Sequence, residues 1–172
     1  MTKNNKLIKF FEENKEQFTY DSIWWYSEMS TTISNLGNDF MKDCAMFSLM
    51  SINCSLERNI IKFEEYANTG KFKGLCPDKF DKLLIAETEI EMWNILGGRK
   101  IQNFFMNLYQ PLNPNYVTID RWSARLVGHD KNLSSKQYNM LAQVYFNVAQ
   151  ELNILPNQLQ AATWVAYRNK MT

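Results

Sequence analysis

Leu96-Gly97-Gly98-Arg99-Lys100-Ile101-Gln102-Asn103-Phe104-Phe105-Met106-Asn107, followed after a loop by Val117-Thr118-Ile119-Asp120-Arg121-Trp122, decides how this chain is read. The first part places two glycines and two cations ahead of an amphipathic helix expected over about 99–109. The second part starts another helix around a lone carboxylate, with Thr118 as the expected cap and an end near Val127. A glycine pair permits positive φ and lets a backbone approach a ligand closely. The leading N–H groups and positive dipole end of the following helix favour an anion there, and Arg99 and Lys100 add charge. This layout suits a clamp on a phosphate backbone with an ionised Asp120 beside it.

Outward from this stretch, apolar residues recur at helical spacing almost everywhere and strand-like alternation is scarce, so the fold is expected to be all-α with about nine or ten helices. Leu7, Ile8, Phe10 and Phe11 mark a first helix. Ile23 to Leu36 marks a second, stopped by Gly37. Phe40 to Met50 is strongly apolar and is expected at the centre of the packing. Ser55 caps a fourth helix with Ile60, Ile61 and Phe63 facing inward. Shorter helices follow over about 78–84 and 87–95. Pro111 to Asn115 is a loop. Ser134 or Ser135 caps a long helix carrying Tyr138, Leu141, Val144, Tyr145, Val148 and Leu152, and Pro156 opens the last one, to about Arg168.

With 172 residues and 45% hydrophobic content, the chain can bury enough apolar surface to offset its ordering entropy. A single domain is expected over 1–172, with N-terminal helices in 1–38 and the remainder, 39–172, holding a helical hairpin at 93–108. No window approaches the ~20 apolar residues of a membrane span. The N-terminus leads into a charged helix rather than an apolar signal core, so no membrane partner and a cytoplasmic location are expected. Cys44, Cys54 and Cys76 are odd in number and irregular in spacing, which argues against a disulfide framework or a zinc site. His129 is the only histidine, and no phosphate-loop or dinucleotide motif is present; no metal and no cofactor are expected.

The net charge of +1 hides an asymmetry. Residues 1–96 hold 11 Lys/Arg against 15 Asp/Glu, a balance of −4, whereas residues 97–172 hold 8 against 3, a balance of +5. Only Asp120, Asp130 and Glu151 are acidic in the second half, so a polyanion would land there.

These segments resemble the helix-hairpin-helix DNA glycosylase superfamily typified by endonuclease III, over about residues 40–170 with gaps. The family's hairpin reads roughly Leu-Pro-Gly-x-Gly-x-Lys-Thr-Ala. Gly98, Arg99 and Lys100 fall on its second glycine, variable residue and lysine; Leu96 stands at the first glycine and Gly97 at the intervening position. Its next signature, Val-Asp-Thr-His-x-x-Arg, is matched by Ile119, Asp120 and Arg125, with Arg121 and Trp122 replacing Thr and His. Leu49 to Asn53, with Asn59 and Lys62 beyond, looks like the family's Leu-Ser-x-Gln segment. The iron–sulfur loop is absent, since no cysteine follows Cys76. The chain is also similar to small glycosylase-like proteins encoded by phages.

The resemblance implies a monomer acting on double-stranded DNA in a bacterial or phage-infected cell. It implies that Asp120 supports loss of a base from its sugar, with Lys100 as a candidate nucleophile for strand cleavage through a Schiff base. Gly97, Gly98 and Arg99 would grip a phosphate strand, Asn53 would fill the gap left by an extruded base, and Arg121 and Arg125 would contact DNA beside a pocket at Trp122. Three alternatives stay open: a base-modifying transferase on hypermodified phage DNA, a noncatalytic helix-hairpin-helix DNA-binding protein, and a protein-interaction domain using the basic second half.

Overall fold

The computed structural model describes residues 1–130 and 132–171, and among these it is all-helical. In chain order the elements are α1 (Lys3–Asn14), a 3-10 turn (Lys15–Gln17), α2 (Tyr20–Ile23), α3 (Trp25–Leu36), α4 (Phe40–Met50), α5 (Leu56–Thr69), α6 (Pro77–Ile85), α7 (Glu89–Leu96), α8 (Arg99–Tyr109), α9 (Arg121–Leu126), α10 (Ser135–Leu152) and α11 (Pro156–Met171). No helix among the described residues is long and apolar enough to cross a membrane.

Short polar side chains cut this apolar-rich chain into helices. Thr2, Thr19, Asp39, Ser55, Thr88, Asp120 and Ser134 each accept the backbone N–H three residues on, satisfying a donor that the helix itself leaves unpaired. Thr88 with Glu91, and Ser134 with Gln137, close the bond reciprocally as capping boxes. The cap before α9 is Asp120, not the expected Thr118, which is buried. Val117, Thr118 and Ile119 are therefore extended core, and the helix starts two residues later. The expected helix over 23–36 is broken at Trp24 (φ −95°, ψ 16°) into the single turn α2 and the longer α3.

The chain divides into two compact units, one formed by Met1–Glu28 with Gln110–Thr172 and the other by Met29–Tyr109. The second unit is organised on α4, where every residue from Asp43 to Met50 is buried. A helix covered on all sides is a central one, and α4 packs against α5, α6, α7 and α8. The Asn59 amide donates to the Phe47 carbonyl (3.1 Å) and fastens α5 to α4. An edge-on ring contact between Phe47 and Phe63 (5.6 Å between centroids) continues through Tyr66 and Phe80 to Phe72. Ile61 does not face inward as its spacing suggested. It is 62% exposed, because Asn59 and Phe63 take the buried side of α5.

From the first turn of α4, the Asp43 carboxylate occupies the place that a side chain at Gly37 would need. It accepts the Asp39 N–H at 2.8 Å. Burial raises its pKa above the ordinary carboxylate range, with the backbone N–H groups of Asp39 and Asn38 opposing.

In the first unit α10 is the spine. Tyr138, Leu141, Val144, Tyr145 and Val148 are buried with Leu7, Val117, Ile119, Val127 and Leu159 in one apolar cluster. Its two tyrosines hold the segment that leads to α9. The Tyr138 hydroxyl accepts the Ile119 N–H (3.0 Å) and donates to the Val117 carbonyl (2.9 Å). The Tyr145 hydroxyl donates to the Ser123 carbonyl (3.1 Å). A buried extended segment without a strand partner has its backbone groups satisfied by a side chain instead.

The halves of the sequence that differ in charge do not correspond to these units. The first unit holds 10 Lys/Arg against 8 Asp/Glu and the second 9 against 10. The basic second half of the sequence is thus shared between two near-neutral bodies, and any anion site must come from local clustering.

Two outcomes test this packing. Tyr138→Phe leaves the Ile119 N–H and Val117 C=O unpaired in the core and is expected to cost about 1–3 kcal/mol, read as a lower urea midpoint; an unchanged midpoint contradicts the clamp. For Asp43, the folded carboxyl holds its proton more tightly than the unfolded chain does. Its contribution to stability is therefore fully present at acid pH and is lost as pH rises through the folded value. Asp43→Asn, which keeps an acceptor for Asp39, should gain on the wild type in thermal melts as pH goes from 4 to 7, by roughly 3 °C. A pH-independent difference contradicts the assignment.

Candidate functional site

Asp120 is half-buried at the first unit's α9. Its Oδ1 accepts the Ser123 N–H at 2.8 Å, the capping bond of α9. Its Oδ2 accepts the indole Nε1–H of Trp164 at 2.9 Å, a bond that ties α9 to α11. Bonds from N–H donors to an ionised carboxylate are the stronger kind, so the anion is fixed in position. A carboxylate offers about four acceptor positions, and these two bonds leave room on each oxygen.

Behind Asp120 lies a buried polar chain. Tyr26 donates to Gln160 Oε1 (2.7 Å), Gln160 Nε2 donates to Ser123 Oγ (3.1 Å), and Ser123 is the residue whose N–H holds Asp120. The fully buried Tyr145 phenol has its pKa pushed up by burial first and by the Asp120 charge second. It therefore stays a neutral donor to the Ser123 carbonyl.

Rings and cations follow Asp120 along α9 and on α11. Trp122 is half-buried, with the Arg121 and Arg125 guanidinium groups 5.6 and 5.3 Å from its ring centroid. Tyr167 of α11 meets it edge-on at 6.4 Å. Trp164 carries the Arg168 guanidinium at 5.2 Å and lies 6.4 Å from Trp25. Arg125 also pairs with Asp130 (3.6 Å), which is exposed. Three sequence candidates, Arg121, Trp122 and Arg125, are thus brought together around the Trp122 ring on α9, the helix that Asp120 caps.

The glycine turn belongs to the second unit. Gly97 (φ 56°) ends α7, and Gly98 (φ 76°) precedes α8. Both φ values lie where a side chain is strained, so a two-residue connection here depends on the glycine pair. Gly98 has no side chain with which to cap α8. Arg99 and Lys100 are exposed on the first turn of α8. Lys79 brings a third cation: its ammonium donates to the Leu96 carbonyl and stands 3.3 Å from where a Gly97 Cβ would lie. The Gln102 amide donates to the Trp93 carbonyl (2.9 Å) and links α8 back to α7. Asn53, also in this unit, is exposed in the turn between α4 and α5 with φ 51°, a left-handed conformation that asparagine tolerates.

Sequence reasoning missed several of these partners. Gln160 and Trp164 lie four apart on α11 and share a face, but nothing local says that Asp120 and Ser123 would meet it. Lys79 gave no signal, because its target is a backbone carbonyl seventeen residues on.

Residues 1–171 match the model of the family described as "Family of unknown function (DUF7178)", and the chain belongs to that family. No curated protein and no solved structure matches the chain.

Asp120 is also a structural residue, and stability separates its two bonds. Asp120→Ala removes the cap and strands the Trp164 indole N–H, an expected loss of about 1–3 kcal/mol in urea unfolding. Asp120→Asn keeps a side-chain oxygen for the cap and should lose less than half as much. Equal losses for the two variants contradict this division.

Proposed function

We propose that this protein binds DNA and acts on a base turned out of the duplex, as a DNA glycosylase whose central residue is Asp120. The observation that carries the reading is the carboxylate of Asp120, pinned by Ser123 and by the Trp164 indole at the head of the helix that carries Arg121, Trp122 and Arg125. The cations attract phosphate, the rings offer a stacking surface to an extruded base, and the anion is the group needed opposite a sugar that becomes cationic.

In the reaction, the bond between C1′ and the base nitrogen breaks and its electron pair leaves with the base. Positive charge develops on C1′ and the ring oxygen of the sugar. Asp120 stabilises that charge electrostatically. Its oxygens already accept two N–H groups, so it acts by fixed charge. A water oxygen then bonds to C1′, its proton passes to solvent, the departing base takes up a proton, and an abasic site remains.

The second unit contributes binding. Arg99, Lys100 and Lys79 gather at the glycine turn, where a phosphate could approach the backbone without meeting side chains at 97 and 98. Lys100 is exposed. A nucleophilic lysine requires desolvation or a neighbouring cation to be neutral, so a phosphate contact is the role we assign to Lys100. Asn53, exposed at its turn, is proposed to touch the distorted duplex. The setting is the cytoplasm of a bacterial or phage-infected cell, with the protein acting as a monomer.

A second reading, a DNA-binding module without a reaction, draws on the same engagement of both Asp120 oxygens. One experiment separates them. Duplexes carrying altered or mispaired bases are incubated with the protein and treated with alkali to reveal abasic sites. A glycosylase gives cleavage that Asp120→Asn lowers by on the order of a hundredfold or more while duplex affinity is retained. Salt-sensitive duplex binding with no abasic product across the panel establishes the binding module. Absence of any duplex affinity at low salt overturns both.

A further inference from the structure

Asn157, on the first turn of α11, is 1% exposed, and its amide is only half engaged. Nδ2 donates to the Pro111 carbonyl at 2.7 Å. That carbonyl can only accept, so the amide is oriented by it and the oxygen is the free end. Oδ1 is buried with no hydrogen-bond partner among the described residues. A buried acceptor without a donor is costly, and such groups are few in native folds and ask for an explanation.

The space beside this amide has the walls of a small site. Asn157 lines a crevice of the first unit together with Ile23, Trp24, Tyr26, Pro111 and Gln158. In this conformation the crevice is too narrow for a water molecule to enter. Ile23, Pro111 and the Trp24 ring are its apolar walls. The Tyr26 hydroxyl is engaged by Gln160 (2.7 Å), so the polar groups left to a ligand come from α11. That helix starts with Pro156, which has no N–H, and the side chain before it, Leu155, has no capping oxygen. Gln158 Oε1 instead accepts the Leu155 N–H at 3.0 Å. The N–H groups of Asn157 and Gln158 lie in the first turn, where no helical carbonyl reaches them. They share that turn with the orphaned Oδ1.

Trp24 is the wall that can move. It is half-buried and interrupts α2 and α3 with φ −95° and ψ 16°, and α2 before it is a single turn of four residues. Rotation of its ring out of the crevice opens a slot with a flat aromatic side. So narrow a slot favours one ring over two fused rings.

We infer that this crevice binds a single flat ring with an imide edge, an N–H between two carbonyls, of the uracil and thymine class. The ring N–H donates to Asn157 Oδ1, a ring carbonyl accepts from the first-turn N–H groups of α11, and the ring lies between Trp24 and Pro111. None of the walls belongs to α9, and the inference goes beyond the DNA-binding reading without resting on it.

The test follows the backbone, indole and side-chain amide N–H resonances of the full chain as uracil is added to about 10 mM, since so small a ligand is expected to bind with a Kd on the order of 1 mM. The expected result is saturating shifts of the Asn157 and Gln158 backbone amides, the Asn157 side-chain amide and the Trp24 indole. 1,3-Dimethyluracil keeps the ring and both carbonyls but has no N–H, and should bind at least about tenfold more weakly. Asn157→Leu should weaken uracil by roughly the same factor. Should that variant unfold early by circular dichroism, Trp24→Leu, expected to weaken uracil about tenfold through lost stacking, and the dimethyluracil comparison on the wild type still decide the matter. Oligodeoxythymidine distinguishes the source of the ring: the same shifts at lower concentration than with uracil assign the site to a base carried on a strand, and shifts with uracil alone assign it to the free base.

Equal binding of uracil and 1,3-dimethyluracil overturns the inference, as do shifts confined to other residues. If neither uracil nor oligodeoxythymidine moves these resonances, the inference falls. None of these results measures duplex affinity or abasic product, so the DNA-binding reading stands or falls by its own experiment.

Discussion

The first unit depends on one hydroxyl. Tyr138 of α10 both accepts from Ile119 N–H and donates to Val117 C=O, and so does for an extended segment what a neighbouring strand would otherwise do. The segment is buried and apolar, and its backbone groups would be expensive to leave unpaired. With it held, the chain reaches Asp120 at a fixed place and direction, and α9 can begin there. Tyr145, seven residues along the same helix, repeats the device at Ser123. Two phenols on one face of α10 thus set where a carboxylate, two arginines and a tryptophan come to lie.

From that constraint the chemistry of the face follows. Asp120 caps a helix and also receives an indole N–H, so that its position is determined from α9 and α11 together. The rings at Trp122 and Trp164 carry guanidinium groups. Such an arrangement offers charge and flat surface at once, which is the combination that nucleic acids exploit. In the second unit the same economy holds at smaller scale: a glycine pair makes the α7–α8 turn tight, and the Lys79 ammonium finds its partner on the carbonyl that ends α7.

Much of the architecture could be read before any coordinates. The bounds of α4 and α8 follow from apolar periodicity and, for α8, from the glycine pair at its start. The caps at Ser55 and Ser134 follow from short hydroxyls placed ahead of apolar runs. Where the reading slipped, long-range contacts overrode a local signal. Thr118 looks like a cap, but Tyr138 keeps its segment extended. Ile61 fits a helical stripe, yet Asn59 is drawn inward by the Phe47 carbonyl and turns the helix. The charge asymmetry of the sequence dissolved because the first unit joins residues 1–28 to residues from 110 onward, a joining made by contacts such as Tyr26 to Gln160. The candidate site was half legible: Asp120, Arg121, Trp122 and Arg125 are neighbours in sequence, whereas Trp164, Gln160 and Tyr145 reach them only through the fold.

The central claim is that DNA meets the protein at the Asp120 face. The most direct measurement follows the backbone N–H and tryptophan indole N–H resonances while unlabelled DNA is added. The account predicts that the Trp122 and Trp164 indoles and the amides of residues 120–125 shift most, with a second group of shifts over residues 97–102. Saturating DNA that leaves those indoles unmoved, or moves only residues elsewhere, would contradict it.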